Sequence, residues 1–248
     1  MSGGEVINKK TKNIVILLSG GLDSSTLAYL VSKKTTPYLK NKIFTLTLDY
    51  GQRHRVELLR AYKISKKIKA FRHEVIKLDL TKWGGSSLTD NNLKIPKNRK
   101  LTNRSTLKVE IPNTYVPARN TIFLSIALAY AEAVQAREIY IGVNSIDYSG
   151  YVDCRPAFIR KFQELVKVGT AAGVRGNVIK IKTPLINMTK LEIVKLGQKL
   201  RVDWASTWSC YLGQKLACGL CDSCRLRLNG FMLAGIKDPL KYKHLSSF

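Results

Sequence analysis

The chain of 248 residues is 45% hydrophobic, which is long enough and apolar enough for one large domain with its own core. No stretch approaches the length of an apolar membrane-spanning helix, and the first five residues lack the basic-then-apolar layout of a signal peptide. We therefore expect a cytoplasmic protein that has no membrane partner.

The net charge of +25 is scattered along the chain and does not form one block. Lysines recur between residues 24 and 73, where only Asp49 and Glu57 are acidic. A large positive charge attracts polyanions, so nucleic acid is one interpretation of it. The scattering favours the other interpretation, a lysine-rich solvated surface, and we expect no stable binding of nucleic acid.

The predicted elements begin with a buried strand, a glycine turn and a helix. Residues 14–18 form an unbroken apolar run rich in β-branched side chains, and residues 26–31 have the pattern of a helix. The turn contains two adjacent glycines, which lack the Cβ atoms that would hold an anion away from the backbone. The helix start adds unpaired N–H groups and the positive end of its dipole. We predict a phosphate site formed by Leu18, Ser19, Gly20, Gly21, Leu22, Asp23, Ser24 and Ser25.

This turn differs from the phosphate loop of nucleotide kinases. That loop needs a Lys followed by Ser or Thr after its last glycine, whereas Asp23 and Ser24 follow Leu22 here. A plain strand-to-helix turn capped by Asp23 or Ser24 is the alternative. It explains the carboxylate and the hydroxyl but not two glycines after a buried strand, so we favour the phosphate site.

Strands and helices continue to alternate up to about residue 200. Strands are predicted at 43–48, 74–78, 138–143 and 178–182, and helices at 56–69, 119–136, 156–168 and 189–197. The last helix opens with a capping pattern from Thr189 to Glu192 and is predicted to end at Gly197. This alternation predicts an α/β fold, a Rossmann-like parallel sheet flanked by helices that binds ligands at the carboxyl ends of its strands.

The alternation is interrupted once and stops before the C-terminus. Residues 81–113 contain adjacent glycines, a basic polar run and two prolines, which predicts an insertion or lid. We therefore predict a nucleotide-binding α/β domain over residues 12–200. A C-terminal helical region over residues 201–248 is expected to bind a metal and to pack on the same domain.

The metal prediction depends on four of the five cysteines, which lie within fifteen residues of one another. In a reducing compartment such a cluster points to a metal and not to disulfides. Four thiolates without a nearby histidine favour a closed structural zinc site, and an iron–sulfur cluster is the alternative. The predicted ligands are Cys210, Cys218, Cys221 and Cys224. The fifth cysteine, Cys154, is expected to pack beside the active site and not to act as a nucleophile.

Five stretches together resemble one family, the 7-cyano-7-deazaguanine synthases of the queuosine precursor pathway. They are residues 19–24, 48–54, 114–120, 142–156 and 207–225, and their order and spacing cover most of residues 14–231. The first stretch alone resembles the pyrophosphate loop of the wider PP-loop ATP pyrophosphatase superfamily, which splits ATP into AMP and pyrophosphate. The resemblance implies an adenine nucleotide alpha hydrolase-like fold with a small C-terminal zinc-binding module. One departure is Ala118, where the family usually has Gly.

The resemblance implies an ATP-dependent ligase that converts 7-carboxy-7-deazaguanine and ammonia into a nitrile. Adenylation of the carboxylate would release pyrophosphate, ammonia would then give the amide, and a second adenylation on the amide oxygen would give 7-cyano-7-deazaguanine. ATP, Mg2+ and Zn2+ are the implied cofactors. Free ammonia is the implied donor, because the chain shows no glutaminase domain. Members of the family often form homodimers, so the resemblance implies that this chain can form a homodimer as well.

The resemblance also suggests roles for single residues. Asp23, Ser24 and Arg119 are predicted to act in catalysis at the phosphates, with helix capping as the alternative for Arg119. His54 is either a proton carrier or an exposed surface residue. The predicted substrate-binding residues are Asp49, Gln52, Arg53, Asn120, Asp147, Tyr148, Asp153 and Arg155. For the last four of these, a hydrogen-bonded loop network is the alternative.

Two other functions are compatible with the motifs. A tRNA-modifying ligase or thiolase of the PP-loop superfamily would explain the loop, the cysteines and the positive charge, but no added RNA-binding domain is apparent. A non-catalytic nucleotide sensor stabilised by zinc would bind ATP without turning it over.

Overall fold

The computed structural model describes residues 12–35, 42–99, 111–145 and 150–244. Within these residues the fold is a parallel five-stranded sheet with helices on both faces, as predicted. The order across the sheet is β3-β2-β1-β4-β5. The strands are β1 (Asn13–Leu17), β2 (Ile43–Asp49), β3 (Arg72–Lys77), β4 (Ala136–Ile141) and β5 (Lys180–Lys182).

The helices follow the predicted alternation with shifts of a few residues at their ends. In the described residues they are α1 (Leu22–Lys34), α2 (Val56–Lys67), α3 (Arg119–Ala133), α4 (Pro156–Val168), α5 (Ala171–Val174), α6 (Lys190–Lys199) and α7 (Asp222–Leu233). The helix α3 ends earlier than predicted because the chain turns at Gln135, which has a left-handed φ of 54°. None of the helices within the described ranges is long and apolar enough to cross a membrane.

The central strand β1 is buried on both faces, as its continuous apolar sequence predicts. Val15 and Leu17 point into the core that α3 and α4 cover. Ile14 and Ile16 point into the opposite core, which α1, α2, α6 and α7 cover. Successive side chains of a strand point to opposite faces, so one run of apolar residues anchors both layers.

The order in which strands are added to the sheet reverses beside β1. From β1 the chain runs outward to β2 and β3 on one side, and then returns to β4 and β5 on the other. In parallel α/β sheets the loops separate at such a point and leave a crevice at the carboxyl ends of the strands. The fold therefore places the predicted phosphate loop, which follows β1, at the edge of this crevice.

The described parts of the segment 81–113 pack against the body of the protein. Ser86, Ser87 and Leu88 are fully buried, and the Ser87 N–H donates to the Asn113 carbonyl at 2.8 Å. Arg99 donates to the Asp222 carboxylate at 2.7 Å, which joins this segment to the start of α7. The segment therefore contacts the C-terminal region that contains the cysteines.

The predicted end of α6 at Gly197 is wrong. The capping box formed by Thr189 and Glu192 begins the helix as predicted, but the helix continues to Lys199. Gly197 is needed for a different reason, because a Cβ there would lie 2.2 Å from the ring of Trp204. The glycine that suggested a C-cap is instead the point where α6 lies in close contact with an aromatic ring.

We expect Gly197→Ala to lower the free energy of unfolding by about 2 kcal/mol, because the buried Trp204 ring must move to admit a methyl group. The gain in helix propensity, about 1 kcal/mol, offsets only part of this cost. Urea denaturation measures the change, and the exposed neighbour Gln198→Ala is the control. A variant as stable as the parent protein would contradict the packing argument.

Candidate active site

A cavity of about 280 Å3 opens at the carboxyl ends of β1 and β4. It contains most of the predicted phosphate loop and the start of α3. Its lining combines acidic, basic and aromatic side chains, which is typical of a site for a charged, planar ligand. The polar, charged and aromatic lining residues include Ser19, Asp23, Ser24, Tyr50, His54, Glu57, Arg119, Asn120, Phe123, Asn144, Tyr151, Cys154, Lys190, Trp208, Ser209, Tyr211 and Arg227.

The phosphate loop is a tight turn held by its own serines. The Ser24 hydroxyl accepts from the Ser19 N–H at 3.2 Å and lies 2.9 Å from the Ser19 hydroxyl. Gly21 lines the cavity at the N-cap of α1. The helix dipole and the first N–H groups of α1 therefore face the cavity.

The two glycines of the loop have different functions. Gly20 has a left-handed φ of 79°, and a Cβ on it would lie 2.5 Å from the Glu57 carbonyl oxygen. Gly20 thus lets the loop lie directly against the first turn of α2, and it does not itself line the cavity. A Cβ on Gly21 would lie 3.3 Å from its nearest neighbour, so Gly21 is the position open towards a ligand.

A lysine distant in sequence completes the phosphate loop. Lys190, at the start of α6, donates to Asp23 Oδ2 at 2.7 Å, and both residues line the cavity. Asp23 Oδ1 is buried and has no hydrogen-bond partner among the described residues. Lys190 is not among the predicted site residues, because in the sequence it belongs only to the capping pattern from Thr189 to Glu192. The loop therefore combines a cation with a carboxylate oxygen that is available to a ligand.

Arg119 brings a second cation into the cavity. Its guanidinium lies 5.5 Å from the ring centre of Tyr151 and 6.0 Å from that of Tyr50. Among the described residues no carboxylate forms an ion pair with it. An arginine remains protonated at any physiological pH. The cavity therefore contains a positive group suited to an anionic ligand.

Three polar residues after β2 form a buried chain beside the phosphate loop. Gln52 donates to Glu57 Oε1 at 3.0 Å, and His54 Nε2 lies 3.4 Å from Glu57 Oε2. Burial raises the pKa of Glu57 to about 8 and lowers the pKa of His54 to about 3. The interpretation of His54 as an exposed surface residue is wrong, since only 6% of it is exposed.

Asn120 and Asp153 hold the start of α3. The Asp153 carboxylate accepts from the Asn120 N–H at 2.9 Å, and the Asn120 amide donates to the sulfur of Cys154 at 3.2 Å. Asn120 and Cys154 line the cavity, whereas Asp153 lies behind them. Burial raises the pKa of the Cys154 thiol to about 12, so the sulfur is protonated at neutral pH.

Several predicted substrate-binding residues are used elsewhere in the structure. Asp49 accepts from Arg55 at 2.5 Å, and Arg53 donates to the carbonyl oxygens of the 86–93 loop. Arg155 is the N-cap of α4. None of these three lines the cavity. The remaining two, Asp147 and Tyr148, lie outside the described residues.

The four clustered cysteines come together as a candidate metal centre. Their sulfur atoms all lie within 4.8 Å of one another, and all four residues are buried. The N–H groups of Cys218 and Cys221 donate to neighbouring sulfurs, which is typical of thiolate ligands. The set is Cys210, Cys218, Cys221 and Cys224.

The cysteine cluster is joined to the phosphate loop. The backbone N–H of Trp208 donates to the Gly20 carbonyl at 2.9 Å, and Trp208, Ser209 and Tyr211 form one wall of the cavity. Arg227 of α7 donates to the Ser209 hydroxyl of this wall at 3.4 Å, and a bidentate pair with Asp238 at 2.7 and 2.8 Å holds the Arg227 guanidinium. A metal bound by the cysteines would therefore stabilise the active-site wall directly.

Comparison with known proteins identifies relatives across most of the chain. The model of the family described as "Queuosine biosynthesis protein QueC" matches residues 13–235. A 7-cyano-7-deazaguanine synthase from Nostoc sp. is 52% identical, with coverage of 93% of this chain and 97% of the relative. The enzyme of the same name from Saccharophagus degradans is 51% identical and is covered to 98% of its length.

Proposed function

The chain belongs to the QueC family of queuosine biosynthesis proteins, and we propose on this premise that it is the ligase that forms 7-cyano-7-deazaguanine. Its substrates are 7-carboxy-7-deazaguanine, ammonia and ATP. The observation that carries the proposal is the cavity in which the phosphate loop, Lys190 and Arg119 converge at the carboxyl ends of the strands. A tRNA-modifying activity loses support, because the family match extends over residues 13–235.

The phosphate loop binds the triphosphate of ATP. A carboxylate cannot release oxide, so it must first attack the α-phosphorus and turn the leaving group into AMP. The N–H groups at the start of α1, together with Ser19, Gly21 and Ser24, hold the departing pyrophosphate. Mg2+, when bound by Asp23 Oδ1 and the phosphates, would neutralise part of their charge.

The cations of the cavity stabilise the charge that develops during adenylation. Lys190 is held against the phosphate loop by Asp23, and it is suited to the β- and γ-phosphates. Arg119 is held between aromatic rings, and it is suited to the substrate carboxylate as it approaches the α-phosphate. Asn120 positions Arg119 by fixing the first turn of α3.

The aromatic wall accommodates the flat deazapurine. Tyr151 and Tyr211 line the cavity and lie 3.3 Å apart at their hydroxyl groups. Flat rings favour stacking with a planar base. Asp147 and Tyr148, which follow β4 in the sequence, remain proposed contacts of the base. Two further predictions remain: the protein does not bind nucleic acid stably, and it can form a homodimer.

The cysteine cluster binds a structural zinc ion. A tetrahedral zinc ion with Zn–S bonds of about 2.3 Å holds its sulfurs about 3.8 Å apart. The Cys218 and Cys224 sulfurs are separated by 3.9 Å, which supports one ion. An iron–sulfur cluster, in which each thiolate binds a different iron, would spread the sulfurs further. The ion would hold the wall formed by Trp208 and Tyr211 in place.

Incubation with 7-carboxy-7-deazaguanine, ATP, Mg2+ and 15N-ammonium tests the proposed function. We expect a product whose mass corresponds to the nitrile and contains one 15N atom. The amide should appear transiently, because both steps use the same cavity. A sample without ammonium should yield neither the amide nor the nitrile. Unchanged acid in the complete mixture would contradict the proposal.

A further inference from the structure

The proposed function requires a base that the phosphate loop does not supply. Ammonium is the main form of ammonia at neutral pH, and it has no lone pair with which to attack. The nitrogen of the nitrile product carries no hydrogen, so every N–H proton of ammonium must leave during the reaction. A side chain in the cavity that accepts protons from nitrogen would serve this need.

Most titratable residues that line the cavity cannot accept these protons. Asp23 already accepts from Lys190, and it lies at the phosphates. Burial raises the pKa of the Cys154 thiol to about 12. Burial also raises the pKa of Tyr50 and Tyr211. Among the described lining residues, Glu57 is the remaining carboxylate.

Glu57 lines the cavity and lies against the phosphate loop. It is in the first turn of α2, and its carbonyl oxygen is the atom against which Gly20 of the phosphate loop packs. Its carboxyl group lies in the same cavity as Arg119, which we assign to the substrate carboxylate. The base and the adenylated carbon therefore share one chamber.

The carboxyl group of Glu57 is held by residues of the β2–α2 loop. Gln52 donates to Oε1 at 3.0 Å and accepts from the Tyr50 N–H at 2.8 Å, so its own orientation is fixed. His54 Nε2 lies 3.4 Å from Oε2. His54 Nδ1 is buried without a hydrogen-bond partner among the described residues, and a small N–H donor in this corner would satisfy it.

We propose that Glu57, positioned by Gln52 and His54, binds ammonium and accepts its protons. This assignment rests on the proposed function, and it adds a binding site for the second substrate. The Glu57 carboxylate takes one proton from ammonium, and the nitrogen lone pair forms the C–N bond to the acyl adenylate. The C–O bond to AMP breaks and AMP leaves with its electron pair. Glu57 releases the first proton to solvent and then accepts a second proton from the new C–N group.

The same residue serves the second half of the reaction. The amide oxygen attacks the α-phosphorus of a second ATP, and pyrophosphate leaves. Glu57 then accepts the remaining N–H protons one at a time and passes them to solvent. The nitrogen electrons form the C≡N bond, the C–O bond breaks, and AMP leaves.

The environment of Glu57 tunes it for proton exchange with ammonium. The groups that face it are His54, Gln52, Tyr50 and the Arg119 guanidinium. Burial raises the pKa of Glu57 to about 8, and Gln52 and Arg119 oppose the rise. A base whose pKa lies near the working pH is the most effective. The carboxylate form increases as pH rises through about 8, so ammonium-dependent turnover should increase over the same range.

The variant Glu57→Gln keeps the shape of the side chain and removes its basicity. We expect it to form product from ammonium at pH 7 about 100-fold more slowly or worse. Exchange of labelled pyrophosphate into ATP, driven by the substrate acid without ammonium, should stay within about twofold of the parent, because adenylation needs no base of this kind. This exchange also shows that the variant is folded.

Hydroxylamine separates proton removal from every other role of Glu57. It is unprotonated at neutral pH, so its attack on the acyl adenylate needs no initial deprotonation. We expect Glu57→Gln to lose at most about tenfold in formation of the hydroxamate. Glu138→Gln, which changes a carboxylate that does not line the cavity and accepts from Tyr140, is the matched control and should leave all three reactions unchanged.

The outcomes are distinguishable. Equal losses with ammonium and hydroxylamine, or ammonium turnover within about threefold of the parent, would overturn the assignment of Glu57. Parent protein that shows no acid-dependent pyrophosphate exchange would overturn the proposed function, and the assignment with it. A large loss of turnover by Glu57→Gln with ammonium, but not with hydroxylamine, would support both the proposed function and the assignment of Glu57.

Discussion

Replacement of Asp23 by Ala is expected to lower the release of AMP and pyrophosphate by about 1000-fold or more. The Asp23 carboxylate holds Lys190 at 2.7 Å, and its other oxygen is buried and available in the cavity. The substitution therefore removes the ligand proposed for Mg2+ and frees the cation proposed for the phosphates. Both losses act on charge that develops in the transition state, so we expect the effect in kcat.

A matched variant separates this effect from loss of an ion pair. Asp203 also accepts from a lysine at 2.7 Å, Lys67, but neither residue lines the cavity. We expect Asp203→Ala to keep the activity of the parent and to cost about 1 kcal/mol of stability. The metal content of both variants, measured by plasma mass spectrometry, should equal that of the parent. Turnover by Asp23→Ala at the rate of Asp203→Ala would remove the role assigned to the loop.

Cys221→Ser is expected to release the metal and to inactivate the protein. Three thiolates bind zinc far more weakly than four, and binding of a structural metal contributes directly to folding. We expect the free energy of unfolding to fall by an amount on the order of 5 kcal/mol. The backbone N–H of Trp208 would no longer be held in its hydrogen bond to the Gly20 carbonyl, so ATP binding should weaken as well.

Cys154→Ser is the control for this experiment, because Cys154 is buried but lies outside the cysteine cluster. It should retain one metal ion per chain and a thermal unfolding midpoint close to that of the parent. Zinc in the purified parent, without iron and without absorbance near 400 nm, would match the sulfur separations. A metal-free Cys221→Ser protein with parental activity and stability would contradict the role of the cluster.

Sequence patterns correctly predicted the structural elements that depend only on residues close together in the chain. The apolar run of β1, the glycine turn and the capping box of Thr189 and Glu192 are complete within a few residues, so sequence alone predicted them correctly. The cysteine spacing likewise brings four sulfurs together. Family resemblance supplied the reaction, which periodicity could not have indicated.

The errors arose where a residue depends on a distant partner. Gly197 has the pattern of a helix end, but the ring of Trp204 decides its role. Lys190 pairs with Asp23 across 167 residues, so only the fold brings them together. Arg53 and His54 are adjacent in a polar motif, yet one side chain binds a loop and the other enters the cavity.

Quantification of the nucleotide products shows at which phosphorus ATP is cleaved. We infer that the loop after β1 holds the pyrophosphate half of ATP while the α-phosphorus is attacked. Complete turnover of one 7-carboxy-7-deazaguanine in the presence of ammonium should therefore yield AMP and pyrophosphate in equal amounts, with no ADP. Formation of ADP and phosphate would contradict this role of the loop.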